Sequence, residues 1–477
     1  MYKRQDRHLG SERSIVRYKG EAIGHVMTSE YGSQMLSLGG VDHLTGGSKL
    51  EGRFTCNALM QLCNKEAVEL SIDEGLSIIV QAGKSPIIEG VKEDKMRVLE
   101  RYGISSVKRN DGKVIWFHAA SIGEILSILP VLKKLNYDKS INQILITTGT
   151  LSAANVLKKY LSKKSIHQFI QFDVPYYVKR FLNHWDPSIA IFVESEIWPN
   201  FMYELKNRRI HSIIVNGRMT LKSFKRWSLL KSYSKELFSN ISACCSQNSD
   251  STFFYKKLGI ANTINAGNLK FAYRPNDINL NEFKKLKSLT RRRKVFLAAS
   301  THPGEEEIIK NITLNLKKTK KNILTIIVPR HVNRESYFTS TRGLGLATRS
   351  KNQQIRDKTY LYLADTVGEL NIFYNLADVI FIGGSLVPHG GQNPIEAAYL
   401  GKKIFHGKYI QNFPDVYKIL EQLKFTKQIE NERQLEYFIN DAFDNLKFIN
   451  KDIKISKLKK EGDDAIKKTL KTIYQYQ

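Results

Sequence analysis

Cysteine is scarce in this chain. Only Cys56, Cys63, Cys244 and Cys245 occur in 477 residues. None forms a C-x-x-C pair or a Cys/His ligand pattern, so a disulfide framework and a cysteine metal site are excluded, and the expected compartment is the reducing cytosol. Long apolar runs are missing too. No stretch reaches the roughly eighteen consecutive apolar residues of a spanning helix. The opening MYKRQDRHLGSERS has no apolar core behind its charges, which excludes a secretory signal. Acidic residues are outnumbered: 46 Asp and Glu face 74 Lys and Arg, a formal net charge of +28. That imbalance points to an anionic partner, whether nucleic acid, an acidic leaflet or a phosphorylated substrate. A surface simply rich in lysine reads the same way, so charge alone does not choose. An apolar fraction of 42% excludes general disorder, and the length suits two or three domains.

What is present is regular from residue 114 onward. Short runs rich in Val, Ile and Phe alternate with stretches of helical period. VIWFHAA (114–120), ILITTG (144–149), FIQF (169–172), SIAIFVES (188–195), HSIIVNG (211–217) and ISACCSQ (241–247) read as strands. The alternation pauses over 272–293, a basic segment with a Pro-Asn-Asp turn signal, read as a linker. It resumes with KVFLAAS (294–300), LTIIVPR (324–330), TYLYLAD (359–365), DVIFIGG (378–384) and KIFHG (403–407). Such βα alternation implies parallel sheets covered on both faces, with ligands beyond the carboxyl ends of the strands. The expected fold class is α/β, with two Rossmann-like domains facing a central cleft, over 91–280 and 281–477. Residues 1–90 stay outside the scheme, with one amphipathic helix expected near 57–71 and no function assigned.

Several strand ends carry chemistry. FIGGSLVPHGGQNPIEAAYLG (381–401) holds Gly383-Gly384, then Gly390-Gly391, then Asn393, Pro394 and Glu396. Glycines admit a phosphate to the backbone and a helix start attracts anions. Asn393 fits an N-cap, Pro394 the first helical position, and Glu396 a capping box. In HAASIGEILS (118–127), Ser121 and Glu124 read as a capping box, or Glu124 as a general base. There the helix dipole favours the ionised carboxylate and lowers its basicity. Glu194 and Glu196 end a strand on one face, or else are acids of a first helical turn. Arg330, His331 and Arg334 leave a strand where an Arg clamps a phosphate or carboxylate. NGRMTLKSFKRW (216–227) interleaves Arg218, Lys222, Lys225 and Arg226 with Phe224 and Trp227, which suits an anionic lipid, a single-stranded nucleic acid, or a helix over the core. Lys270 follows a short strand. AASTHPGEEE (298–307) reads as a normal helix start. The histidines His118, His302, His331, His389 and His406 are scattered without ligand spacing, so no metal site is expected.

Taken in order, HAASIGE, VESEIWPN, NGRM, GNLKF, AASTHPGEE, VPRH and GGSLVPHGGQNPIEA resemble the Kdo transferases of lipopolysaccharide assembly, over about 92 to the carboxyl end. The resemblance implies a GT-B fold and transfer of Kdo from CMP-Kdo to a lipid A precursor, with inversion and without metal or cofactor. It implies Glu124 as catalytic base. Glu194, Glu196 and Arg218 would serve the acceptor, and Lys270, Arg330, Gly390, Gly391, Asn393 and Glu396 the donor nucleotide. It implies work at the cytoplasmic face of the inner membrane, on an anionic surface and without nucleic acid. Family members usually begin with an apolar anchor, and residues 1–90 show none, so the expected attachment is peripheral. Another GT-B glycosyltransferase with a different nucleotide sugar is the alternative, and a nucleic-acid-binding protein a third reading.

Overall fold

The computed structural model describes residues 94–274, 278–320, 322–331, 343–445 and 451–477, together with four strands nearer the amino terminus. Those strands, β1 (Arg13–Tyr18), β2 (Glu21–Thr28), β3 (Gln34–Leu38) and β4 (Phe54–Thr55), form an antiparallel sheet in sequence order. They lie in the stretch that the βα alternation leaves out. The helix expected near 57–71 and Arg334 fall outside the described residues.

The first βα series is β5 (Val114–His118), β6 (Gln143–Thr148), β7 (Ser165–Phe169), β8 (Ile189–Val193), β9 (His211–Gly217), β10 (Ala243–Ser246) and β11 (Thr263–Asn265). Its helices are α1 (Ile122–Asn136), α2 (Leu151–Leu157), α3 (Pro175–Trp185), α4 (Pro199–Asn207), α5 (Leu221–Leu229), α6 (Lys231–Ser239) and α7 (Ser249–Leu258). The strands pair in parallel in the order β11-β10-β9-β8-β5-β6-β7. Helices cover both faces, so β5 and β8 are buried at every position and read as unbroken apolar runs. Trp116 anchors one face, with its ring 4.9 to 5.2 Å from those of Phe181, Phe192 and Phe201. Pro175 and Pro199 open α3 and α4, where a missing N–H costs nothing. Asp173 caps α4 from outside, accepting the Asn200 and Phe201 N–H groups at 3.1 Å. Burial pushes its carboxyl up to about 7, against those two bonds.

The second series is β12 (Lys294–Thr301), β13 (Ile323–Pro329), β14 (Leu346–Thr348), β15 (Leu361–Leu363), β16 (Val379–Ile382), β17 (Lys403–His406) and β18 (Thr426–Gln428). Its helices are α8 (Leu280–Thr290), α9 (Glu305–Thr319), α10 (Leu370–Leu376), α11 (Ile395–Tyr399), α12 (Pro414–Gln422), α13 (Glu432–Asp444) and α14 (Lys451–Tyr476). The parallel order is β14-β15-β13-β12-β16-β17-β18. Along β12 the residues alternate between two cores: Phe296 and Ala298 join one cluster, Leu297 and Ala299 the other.

The chain divides into two units, residues up to Gly267 with Lys467–Gln477, and Asn268–Ile466. The boundary falls before the expected 280/281, which places Lys270 in the second unit. The basic segment read as a linker contains α8, capped by Asn279 and buried through Leu286 and Thr290, with its lysines outward. Its few apolar residues conceal a helix among charges.

The last helix serves both units. Within the second, the Tyr399 hydroxyl donates to the carbonyls of Phe271 and Leu458. Within the first, the Tyr476 ring packs 5.2 Å from His211, and Lys468 Nζ donates to Asn265 O at 3.2 Å. Burial pushes the Cys245 thiol of β10 up to about 11, against the Thr472 and Thr469 hydroxyls beside it. Deleting Lys467–Gln477 is expected to expose Cys245. Titration of the native chain with a thiol reagent should show one more fast-reacting group in the truncated form, and unchanged labelling would refute the packing role.

Candidate functional site

In each sheet the strand order reverses at one point, where ligands bind beyond the strand ends in such folds. In the first sheet that point lies between β5 and β8, in the second between β12 and β16. The loops at these two places hold most of the residues singled out by sequence.

At the β5–β8 point, Ser121 caps α1 and Glu124 folds back over it. Ser121 Oγ donates to Glu124 Oε1 at 2.9 Å, and the Ala120 N–H to Oε2 at 2.8 Å. The cap read from sequence is therefore real. It does not keep the group acidic. Burial, then the carboxylates of Glu196 and Glu194, push the Glu124 carboxyl up to about 8, against the Ser121 and Ala120 hydrogen bonds. The dipole argument for a lowered basicity is overturned, because lost hydration and two like charges outweigh a helix end.

Glu194 and Glu196 take neither arrangement expected of them. β8 stops at Val193 and α4 starts at Pro199, so both stand in the turn between. Glu194 ends the strand by adopting φ 59, and Asn216 at the end of β9 has φ 52. Non-glycine residues held in this region cost on the order of 1–3 kcal/mol and cluster at functional sites. Asn216 Nδ2 donates to Glu194 Oε1 at 3.4 Å, and the Arg218 N–H to Glu194 O at 3.3 Å. Glu196 Oε2 accepts from Trp198 Nε1 at 2.8 Å and lies 3.4 Å from Nε2 of buried His118. Burial works to raise the Glu196 carboxyl, but His118 and Trp198 outweigh it and hold it below the usual range. The two neighbouring carboxyls are thus pushed in opposite directions, Glu124 up by burial and like charge and Glu196 down by His118 and Trp198.

At the β12–β16 point the controlling residue is one the sequence reading passed over. Glu305, wholly buried, accepts from the backbone N–H groups of His302, Gly384, Ser385 and Leu386 at 2.7 to 3.1 Å. The glycine turn after β16 is therefore organised by a protein carboxylate. Gly383 is required by packing, since a Cβ there would stand 2.5 Å from Ser300 O, where Ser300 bulges at φ 56. Of three glutamates at the start of α9, Glu305 and Glu306 are buried and Glu307 is exposed. Nothing in the run itself distinguishes them.

Gly390 and Gly391 both have positive φ, and Gly391 N–H donates to Gly384 O at 2.8 Å. Asn412 bridges them, its backbone N–H donating to Gly390 O at 2.9 Å and its Nδ2 to His389 O at 3.0 Å and Gly391 O at 3.2 Å. The cap expected at Asn393 is displaced by one: α11 starts at Ile395, Pro394 holds the cap position, and Asn393 Oδ1 accepts the Ile395 N–H at 3.0 Å. Glu396 is half-buried and its carboxyl is raised by burial. Arg330 is exposed at the end of β13, its N–H bonded to Thr301 O. Lys270 Nζ lies 5.2 Å from the Phe413 ring. The histidines are less scattered than they read. His302 stacks on His389 at 4.1 Å and meets His331 edge-on at 6.2 Å. Each follows the carboxyl end of one of three adjacent strands, β12, β13 and β16, a signal visible once the strands are ordered. Among the described residues no group of His, Cys, Asp and Glu could hold a metal ion.

A family model described as 3-deoxy-D-manno-octulosonic-acid transferase (kdotransferase) matches residues 96–273. The 3-deoxy-D-manno-octulosonic acid transferase of Rickettsia bellii is 34% identical over 382 residues, 76% of this chain and 90% of that protein. The enzyme of the same name from Haemophilus influenzae is 31% identical over 358 residues, 72% and 84% of the two chains. Among solved structures, a UDP-GlcNAc 2-epimerase from Neisseria meningitidis bound to UDP-GlcNAc shares the fold, with TM-score 0.51 and 13% identity over 76% of this chain and all of that one. A chain with two Rossmann-like units, carboxylates gathered at a strand switch point and relatives of this closeness belongs to the 3-deoxy-D-manno-octulosonic acid (Kdo) transferase family, and is a glycosyltransferase of the GT-B type.

Proposed function

We propose that this transferase moves Kdo from CMP-Kdo to a primary hydroxyl of a lipid A precursor, with inversion at the anomeric carbon. The observation that carries the reading is the Glu124 carboxyl, raised to about 8 at the β5–β8 switch point. A base with that affinity accepts the hydroxyl proton as the oxygen attacks the anomeric carbon. The bond from that carbon to the CMP phosphate breaks, and CMP leaves with the electron pair from the opposite face. Glu194, Glu196 and Arg218 position the acceptor beside the base. In the second unit Gly390, Gly391, Asn393, Arg330 and Lys270 receive the nucleotide phosphate, and Glu396 accepts from a ribose hydroxyl. Among the described residues no helix is long and apolar enough to cross a membrane, and the proposed place of work is the anionic cytoplasmic face of the inner membrane, reached peripherally.

Incubating the full chain with CMP-Kdo and a tetraacylated lipid A precursor should add one or more Kdo masses to the lipid, read by mass spectrometry. An unmodified lipid, with thermal stabilisation by UDP and none by CMP, would defeat the donor assignment.

A further inference from the structure

Glu194 and Asn216, both left-handed, follow one another's strands closely: the Glu194 N–H donates to Val215 O at 3.0 Å. Such residues persist only where the surroundings over-determine them. Part of what holds this pair comes from α7, a helix that the catalytic reading does not use.

Tyr255 of α7 is wholly buried. Its hydroxyl donates to Glu194 O at 3.1 Å and to Arg218 O at 3.2 Å, one proton shared between two carbonyls. Glu194 O also accepts the Arg218 N–H at 3.3 Å, so both of its lone pairs are used. One turn earlier on the same helix, Ser251 Oγ accepts the Met219 N–H at 3.1 Å. The neighbouring strands make room for this contact. Against β10, β9 carries Asn216 as an extra residue, since Cys245 pairs with Val215 and Ser246 with Gly217. A Cβ at Gly217 would stand 3.1 Å from the Tyr255 ring and 2.8 Å from Cys244 Sγ, so glycine there admits the tyrosine. Burial pushes the phenol well above its ordinary value, which keeps the hydroxyl a donor at every working pH. A buried tyrosine needs only one hydrogen-bond partner. This one reaches two separate turns, and each carries a residue assigned to the acceptor.

We propose that Tyr255 is a positioning residue for the acceptor, its hydroxyl tying the Glu194 turn to the Arg218 turn so that both side chains meet the acceptor preorganised. The inference rests on the assignment of Glu194 and Arg218 to the acceptor. Tyr255 acts through backbone carbonyls. Without its hydroxyl, Glu194 O keeps the Arg218 N–H alone, and the left-handed turn relaxes and withdraws its carboxylate.

The test is steady-state kinetics of the full chain, varying CMP-Kdo and a tetraacylated lipid A precursor in turn. Tyr255→Phe keeps the ring and removes only the hydroxyl. It is expected to lower kcat/KM for the lipid roughly ten- to hundredfold, leaving the KM for CMP-Kdo unchanged. Leu182→Ala on α3 empties a position in the same core. It should lower the melting temperature further than Tyr255→Phe does, yet leave kcat/KM for the lipid at the parent value. Glu194→Gln should lower that value too. Adding Tyr255→Phe to it should cost less than the product of the two single losses, because the tyrosine works through that turn. Parent kinetics in Tyr255→Phe, beside a loss in Glu194→Gln, would overturn the positioning role and spare the acceptor reading. Fully multiplicative losses in the double variant, or an equal loss in Leu182→Ala, would also overturn that role. No loss in Glu194→Gln would overturn the acceptor assignment itself.

Discussion

Glu124→Gln is expected to fold, to bind the donor nucleotide, and to lose about 10²–10⁴-fold in kcat. The amide keeps an oxygen for the Ala120 or Ser121 donor, so the start of α1 survives. What disappears is a group that takes a proton near neutral pH. The parent should show kcat/KM rising with pH and levelling above about 8, because the base works only when ionised and burial holds it neutral below that value. The variant should lose that limb. Stability moves the other way. Between the ordinary 4.5 and about 8, the folded chain keeps a proton that the unfolded chain has released, so stability falls as pH rises through this window. Gln carries no such loss, so above pH 8 the variant should melt higher than the parent. Full turnover by Glu124→Gln would remove the base from this residue, and a lower melting point at high pH would remove the buried carboxylate.

Glu305→Ala should destabilise the second unit by roughly 3–5 kcal/mol, since it strands buried N–H donors around the glycine turn. Four backbone groups lose their acceptor at once. The four tryptophans, Trp116, Trp185, Trp198 and Trp227, all lie in the first unit. In urea, circular dichroism should therefore gain an early transition that tryptophan fluorescence lacks. Glu305→Gln, which retains one acceptor oxygen, should fall between. Coincident, unshifted transitions in the Ala variant would show that water replaces the carboxylate without cost. Donor binding should weaken in parallel, because the same turn carries Gly390 and Gly391 toward α11.

Much of the fold was legible because two-faced burial leaves a plain mark. VIWFH and KVFLAAS are strands in both readings, because nearly every position is buried against a helix or a neighbouring strand. What escaped depends on conformations that sequence does not announce. SIAIFVES overruns the strand by two residues at its carboxyl end because a glutamate, not a glycine, turns left-handed at 194. The α8 helix hid among basic residues whose aliphatic neighbours carry its packing. The residues of the candidate site stood out by type, but their electrostatics did not. Glu124 was placed at a helix start, and its neighbours Glu196 and Glu194 became relevant only when β8 was seen beside β5. Glu305 was one acid of three, distinguished solely by the direction it faces.

The shared last helix sets an order on biosynthesis. The strands of the first unit leave the ribosome before the second unit is made, yet Thr469, Thr472 and Tyr476 emerge only after it. Some 200 residues separate the two events, on the order of ten to forty seconds at usual elongation speeds. Throughout that interval the flank of β10 around Cys245 waits bare, and the nascent first unit is complete only once Lys467–Gln477 have emerged.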